Sequence, residues 1–385
     1  SGIEKAYNSY LSDDPGRIAV RYKVDAVNRV LRGESYEIEN TYYKKNSGVV
    51  LTLDAAIQKK TEELAPKYLK KGAVIVLEVE TGKIRAMVSQ PSFCPTDLES
   101  ALEDPDSPFL NRCLESYNVG SVFKLVSAAA ALESGISEEE KFDCQGVLDV
   151  SGTLFHCFDG ISHGSVNMQE AVAQSCNVYF IDLMQKVTPK EFLEMAGAFG
   201  FGKSQELAPG IFSKAGNLPT EEELQNLQTL ANFSFGQGSL LATPLQIAAM
   251  VRCIANDGMY SEPVLVEGLV DSAKQWVEQT PNQEEVRVIS QETAKKLKEF
   301  MAASVDHGTG RGGRPLIGMA GAKTGTAQTG VLEGDREVIQ AWYAGFYPLT
   351  EPKYAIVVLG EDEEKGGSIC APVFQELCNW LALEF

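Results

Sequence analysis

The chain has 385 residues, 44% hydrophobic and 23% charged, which is enough apolar content for a packed core. Its formal net charge of −19 repels phosphate backbones and anionic lipid surfaces, and no basic block interleaved with aromatics offsets that field, so no nucleic-acid partner is expected. A membrane span needs roughly 18 or more apolar residues, and the best runs, 122–132 and 354–360, are too short.

Residues 1–46 are charged, rich in Tyr and Asn, and poor in core patterning, as expected for the end of another domain or a packing arm. They open on Ser1-Gly2 without Met, so the chain is expected to be trimmed from a longer protein whose upstream part carries any anchor. From Gly48 the pattern sharpens. Residues 49–53 read as a short strand, and Asp54 caps a helix through about Leu64 that should stop at Pro66. Residues 73–79 and 83–88 are β-rich runs joined by Glu80-Thr81-Gly82, a hairpin signal. In the middle of the chain, Asn167 with Glu170 and Thr188-Pro189 with Glu191 form capping-box patterns, and Thr243-Pro244 opens a further helix. Strand character returns at 319–325, 339–347 and 354–359, and an amphipathic helix over about 371–383 closes the chain.

Two early strands, a helical middle and three late strands predict an α+β fold. The order fits one mainly antiparallel five-stranded sheet flanked by helices, with an inserted all-helical subdomain. A doubly wound parallel sheet would need strands alternating with helices throughout, and that pattern is absent.

The eight cysteines, Cys94, Cys113, Cys144, Cys157, Cys176, Cys253, Cys370 and Cys378, contain no C-x-x-C pair. Cys144 and Cys157 flank a short Gly-containing loop; a disulfide and two buried thiols both remain open for them. His156, Cys157 and His163 with Cys144 can be drawn as a metal site, but their spacing is irregular for structural zinc, so no metal and no cofactor are expected.

The chemistry rests on three short elements. Ser121-Val122-Phe123-Lys124 opens an Ala-rich helix ending before Gly135. Ser121 and Lys124 share a helix face, and the helix start offers unpaired N–H groups to an oxyanion. A neutral amine at that distance can take the hydroxyl proton and make the serine a nucleophile. Alone the pattern is weak, since S-x-x-K arises by chance about once or twice in such a chain, usually as a capping serine with a solvated lysine. Ser175-Cys176-Asn177 lies at a helix-to-helix break, where the serine can relay a proton and the amide can hold a substrate backbone. Lys323-Thr324-Gly325-Thr326 lies on a strand. Its cation and hydroxyls suit a carboxylate, Gly325 leaves room for a ligand backbone, and the Thr326 N–H can join that of Ser121 in an oxyanion hole. A positive Lys323 would also help keep Lys124 neutral.

S-x-x-K, S-D-N and K-T-G form the set shared by penicillin-binding proteins and class A β-lactamases, and Ser121–Lys124, Ser175-Cys176-Asn177 and Lys323-Thr324-Gly325 stand in those three places in this order. From about Val49 onward the chain resembles the class B penicillin-binding proteins. The likeness includes Val50-Leu51-Thr52-Leu53-Asp54, Thr81-Gly82-Lys83-Ile84-Arg85-Ala86-Met87, Gly236-Gln237-Gly238 with Thr243-Pro244-Leu245-Gln246, and Ala341-Trp342-Tyr343-Ala344-Gly345-Phe346. Val119 stands where the family often has proline, and Ala322 where it often has glycine, which is expected to alter packing and leave the chemistry.

The resemblance implies a β-lactamase/transpeptidase-like fold, with residues 1–46 the remnant of a non-catalytic pedestal or dimerisation domain and 47–385 the transpeptidase domain. It implies a peptidoglycan D,D-transpeptidase at the bacterial membrane with its catalytic domain outside the cytoplasm. Its partners would be stem peptides ending D-Ala-D-Ala, β-lactam antibiotics and proteins of a wall-synthesis complex. Ser121 would be acylated, Lys124 would be the base and Ser175 the relay; Asn177 would hold the acyl chain, and Lys323, Thr324 and Thr326 the terminal carboxylate. A D,D-carboxypeptidase, β-lactamase or β-lactam sensor on the same fold, or a silent wall-synthesis scaffold, are the alternatives. The absence of an E-x-x-L-N sequence favours slow deacylation. The Gly-rich run 308–313 lacks the strand-loop-helix context and G-K-[ST] of a phosphate loop and should be a flexible cleft loop. With three histidines, none suitably set, Cys176 is not expected to be a thiol nucleophile.

Overall fold

A computed structural model describes residues 2–12, 17–41, 47–334, 336–361 and 366–384. They fall into two compact units. The smaller comprises Ser1–Thr52, Glu206–Ile211 and Leu265–Asn282. It holds a three-stranded antiparallel sheet in the order Trp276–Gln279, Val266–Val270, Gly48–Leu51. It also holds a strand pair, Arg17–Arg21 with Glu37–Thr41. Ile18, Val20 and Ile38 of that pair are exposed, which explains why no core pattern was legible there. The boundary expected after Asn46 falls at residues 42–46, outside the described residues.

The larger unit opens with helix α1 (Ala55–Tyr68), whose first turn is closed by Asp54 accepting the N–H groups of Ala56 and Ile57 at 2.9 and 3.0 Å. Pro66 does not stop it, contrary to the sequence expectation. The proline sits in the last turn, where it removes one i→i−4 bond, and the Leu69 N–H still reaches the Ala65 carbonyl at 2.8 Å. Strands β1 (Gly72–Glu78) and β2 (Ile84–Gln90) follow as a hairpin, turned by Gly82 at φ +71°.

After a 3₁₀ turn, Gly120–Phe123, comes α2 (Lys124–Glu133). Four short strands then pair as β3 (Phe142–Cys144) with β6 (Gly164–Val166) and β4 (Val147–Val150) with β5 (Thr153–His156). Helices α3 (Met168–Ala173), α4 (Asn177–Met184), α5 (Pro189–Ala198), α6 (Leu227–Ser234), α7 (Pro244–Ala255) and α8 (Gln291–Asp306) complete the insertion. Asn167 accepts the Glu170 N–H at the start of α3, and full capping boxes open α5 (Thr188 with Glu191) and α7 (Thr243 with Gln246). The chain returns to the sheet as β7 (Gly321–Glu333), β8 (Arg336–Tyr347) and β9 (Tyr354–Glu361), and ends on α9 (Gly366–Glu384).

The sheet runs β7-β8-β9-β1-β2, antiparallel throughout, as the strand order predicted. The insertion is mainly helical and also carries the short pairs β3–β6 and β4–β5. Core side chains of α1 and α9, including Ile57, Leu64, Phe374 and Leu377, pack with Val74, Val358 and Tyr343 of the sheet. Helix α7, buried along its whole length, lies against β8, β9 and β1. Coverage of the sheet by helices explains why β1 and β9 read as continuous apolar runs and not as alternating ones.

Candidate active site

The nucleophile segment is held from three sides. Phe123 is fully buried, with ring centroids of Phe233, Phe201 and Phe192 at 4.8, 5.5 and 5.8 Å. The Gly120 N–H donates to the Gly236 carbonyl at 2.8 Å. Just upstream, the Trp342 indole N–H donates to the Asn118 carbonyl at 2.8 Å, fixing the segment to β8. Ser121 therefore sits on a rigid turn at the start of a buried helix, half-exposed to a cleft.

Lys124 is fully buried one turn on. Its Nζ lies 2.6 Å from both the Ser175 carbonyl and Asn177 Oδ1, and 3.1 Å from both Ser121 Oγ and Ser175 Oγ. Burial pulls this lysine down to about 7, with Cys176 and Cys157 pulling the other way. The Asn177 amide is oriented by its own NH₂, which donates to the His156 carbonyl at 2.9 Å. A neutral amine has two N–H groups, matching the two near acceptors that cannot donate, and one lone pair. That lone pair is left for a hydroxyl, and the hydroxyls of Ser121 and Ser175 are the two at 3.1 Å.

Ser175 reaches that position through its backbone. Helix α3 ends with the Cys176 N–H on the Ala171 carbonyl (2.9 Å) and the Ser175 N–H on the Val172 carbonyl (3.2 Å), a Schellman closure. The left-handed residue in it is Ser175, at φ +60°, where glycine is usual. A side chain there costs about 1–2 kcal/mol. The strain sits at the hydroxyl facing Lys124.

On β7 the motif divides. Thr324 and Thr326 face the cleft with Ser121, Ser175 and Asn177; the cleft's volume is about 980 Å³. Lys323 is fully buried, and its Nζ donates to the Thr324 carbonyl at 2.9 Å. Burial first, and the Lys124 charge second, hold its ammonium well below the usual lysine range. The like-charge effect anticipated from the sequence thus bears on Lys323. Gly325 packs inward: a Cβ there would come within 2.9 Å of Val122 Cγ2 and 3.1 Å of Trp342 Cβ. The space its missing side chain leaves is taken by the nucleophile turn, where the sequence reading had placed a ligand. Of the two departures from the family pattern, Val119 and Ala322 are both fully buried in the packing.

The cleft also gathers residues to which the sequence had assigned no role in the chemistry. Thr309 in the Gly-rich loop hydrogen-bonds Thr324, Oγ1 to Oγ1, at 2.7 Å, and its N–H donates to the Ala173 carbonyl at 2.9 Å. The glycine run marked the loop but not this threonine. Gln237 and Gly238 line the cleft. Cys144 and Cys157 are unbonded thiols with sulfurs 3.6 Å apart, and Cys176 and His163 converge on them, whereas the sequence drawing had His156 in place of Cys176.

A family model described as "Penicillin binding protein transpeptidase domain" matches residues 72–379. The peptidoglycan D,D-transpeptidase PbpA of Mycolicibacterium smegmatis is 33% identical over 326 aligned residues, covering 79% of this chain and 65% of that protein. The peptidoglycan D,D-transpeptidase MrdA of Acinetobacter baumannii is 28% identical, covering 97% of this chain and 59% of that protein. The chain therefore spans less than two thirds of these relatives' length. Among solved structures, the penicillin G acyl-enzyme complex of penicillin-binding protein A from M. tuberculosis matches with a TM-score of 0.77 at 27% identity, over 88% of this chain and 81% of that one. A D,D-transpeptidase domain from Eggerthella lenta matches with a TM-score of 0.79 at 23% identity, over 95% of each chain, which speaks to fold alone.

Proposed function

This chain belongs to the penicillin-binding protein transpeptidase family, and on that premise we propose that it is a peptidoglycan D,D-transpeptidase working through a Ser121 acyl-enzyme. The observation that carries the reading is the buried Lys124 amine, held near neutrality and 3.1 Å from the Ser121 hydroxyl. Ser121 Oγ attacks the penultimate D-Ala carbonyl of a stem peptide while its proton passes to Lys124 Nζ. The oxyanion forms against the Ser121 and Thr326 N–H groups. Collapse breaks the peptide bond, and Ser175 hands the Lys124 proton to the departing D-Ala nitrogen. An acceptor amine then attacks the ester, loses its proton back through Lys124, and releases Ser121.

Asn177 holds the acyl chain. Thr324 and Thr326 bind the terminal carboxylate directly, and buried Lys323 supports them from behind, along with Gly325 in the same strand. A β-lactam enters as a strained version of the same amide and leaves a slowly hydrolysed ester. The chemistry belongs outside the cytoplasmic membrane, in company with wall-synthesis proteins. Among the described residues no helix is long and apolar enough to cross a membrane. Residues 1–46 belong, on this reading, to a non-catalytic domain, and 47–385 to the catalytic one.

Incubation with penicillin G, followed by intact mass over time, tests the proposal. The expected result is one stable adduct, absent from Ser121→Ala. Rapid turnover would move the assignment to a β-lactamase, and no adduct under any condition would remove the acyl-enzyme. Ser175→Gly separates backbone strain from chemistry. Glycine removes the left-handed penalty, offset in part by its greater unfolded entropy, so the melting temperature should hold or rise. Loss of the hydroxyl should slow acylation at least about 10-fold. Acylation at the unaltered rate would exclude Ser175 as relay.

A further inference from the structure

Beside the second motif, three sulfurs and one imidazole nitrogen meet. Cys144, Cys157, His163 and Cys176 place one ligand atom each within 4.8 Å of all the others. Cys144 Sγ lies 3.6 Å from Cys157 Sγ and 3.4 Å from His163 Nδ1, and Cys157 Sγ lies 3.7 Å from Cys176 Sγ. Tetrahedral zinc, with bonds of about 2.3 Å to sulfur and 2.0–2.1 Å to nitrogen, sets its ligands about 3.8 Å (S–S) and 3.6 Å (S–N) apart. A disulfide would need about 2.05 Å. It would also use only two of the three sulfurs and give the imidazole no role.

The surroundings are those of metal-bound thiolates. The Gly146 N–H donates to Cys144 Sγ and the Tyr179 N–H to Cys176 Sγ, each at 3.4 Å. Gly146 has φ +83°, and a Cβ on it would lie 2.5 Å from the Gly160 carbonyl, so the turn closing over Cys144 needs glycine. All three cysteines are buried and His163 is half-buried, a closed set with no open position for a reactant.

We propose that these four residues form a Cys₃His structural zinc site. Zinc(II) binds three thiolates and the neutral imidazole, the three thiol protons pass to solvent, and no electron transfer is involved. Its place gives it a task. Cys176 lies between Ser175 and Asn177, whereas Cys144, Cys157 and His163 belong to the β3–β6 segment, whose Phe155 and His156 line the cleft. The metal ties that wall to the second motif and fixes Ser175 and Asn177 around Lys124. The binding claim stands apart from the transpeptidase reading; only its effect on acylation rests on that reading.

The test uses the full chain. Elemental analysis of protein purified without chelator should find about one zinc per chain. Chelator-stripped, thiol-reduced protein should regain it from zinc alone, and should give a thiolate-to-cobalt absorption band with cobalt(II) alone. Cys144→Ser and His163→Ala should each lose most of the zinc and lower the melting temperature by several degrees. His156→Ala, outside the ligand set, should keep the zinc. Zinc removal should slow penicillin acylation, and restoring zinc should restore it. Reduced protein that binds neither ion would overturn the site. So would full zinc content in both Cys144→Ser and His163→Ala, or a chain whose mass stays short of two hydrogens in the presence of zinc. Zinc binding without any penicillin adduct would sink the transpeptidase reading and leave the site intact.

Discussion

Lys124→Met is expected to slow penicillin acylation about 10³-fold, in the middle of the range for loss of a positioned base, while the protein stays folded. Methionine fills a similar volume but leaves the Ser121 proton without an acceptor. Two stability effects oppose each other. Lowering a buried lysine from 10.5 to about 7 reflects about 5 kcal/mol of disfavour toward its charged form. Methionine removes that cost. It also strips hydrogen bonds from the Ser175 carbonyl and Asn177 Oδ1, at about 1–3 kcal/mol each. The melting temperature should therefore move little. The sign of the pH effects follows from the same shift. The folded state binds this proton more weakly than the unfolded chain, so Lys124 destabilises fully below about pH 7. That penalty fades as pH rises toward 10.5. In the wild type, the acylation rate should climb about tenfold per pH unit below about 7 and level off above it, as the amine loses its proton. A Lys124→Met protein acylated at the wild-type rate, or a wild-type profile flat from pH 5 to 8, would remove Lys124 as the base.

Gly236→Ala should damage the molecule through its fold. Gly236 has φ +84°, and a Cβ there would stand 2.0 Å from the Gly120 carbonyl oxygen and 2.9 Å from Phe123 Cβ. Neither the backbone nor the packed Phe123 can yield cheaply, because Phe123 is locked among Phe192, Phe201 and Phe233. Left-handed strain adds about 1–2 kcal/mol, and with overpacking the loss should reach about 3 kcal/mol or more. Denaturant unfolding and the penicillin reaction should both report it: a lower midpoint, and slower acylation as the Gly120–Ser121 turn is displaced. Gly135→Ala is the control, since that glycine is also left-handed at φ +82° but has nothing within 4 Å of its would-be Cβ, so it should lose only the strain. Equal losses in the two variants would show that contact with Gly120 is not what makes Gly236 necessary.

The sequence alone determined those features that are written locally or by order. Asp54, Thr188 and Thr243 announced their helices because a cap is a contact within four residues. Two early and three late strands gave the antiparallel five-stranded sheet because apolar runs and connection order restrict the pairing. Ser121 and Lys124 were legible together because three residues on a helix bring side chains to one face. Tertiary structure decided what depends on residues far apart in the chain. It seated Lys323 in the interior, turned Gly325 toward Val122, and brought Thr309 to Thr324, none of which a strand pattern encodes. It carried the helix through Pro66, because the bond lost there falls in a last turn that the next residues still close. Above all it gathered Cys144, Cys157, His163 and Cys176, whose sequence separations follow no regular ligand spacing. Their convergence comes from the pairing of β3 with β6 and the turn at Ser175, and a contact made by folding leaves no period in the chain that makes it.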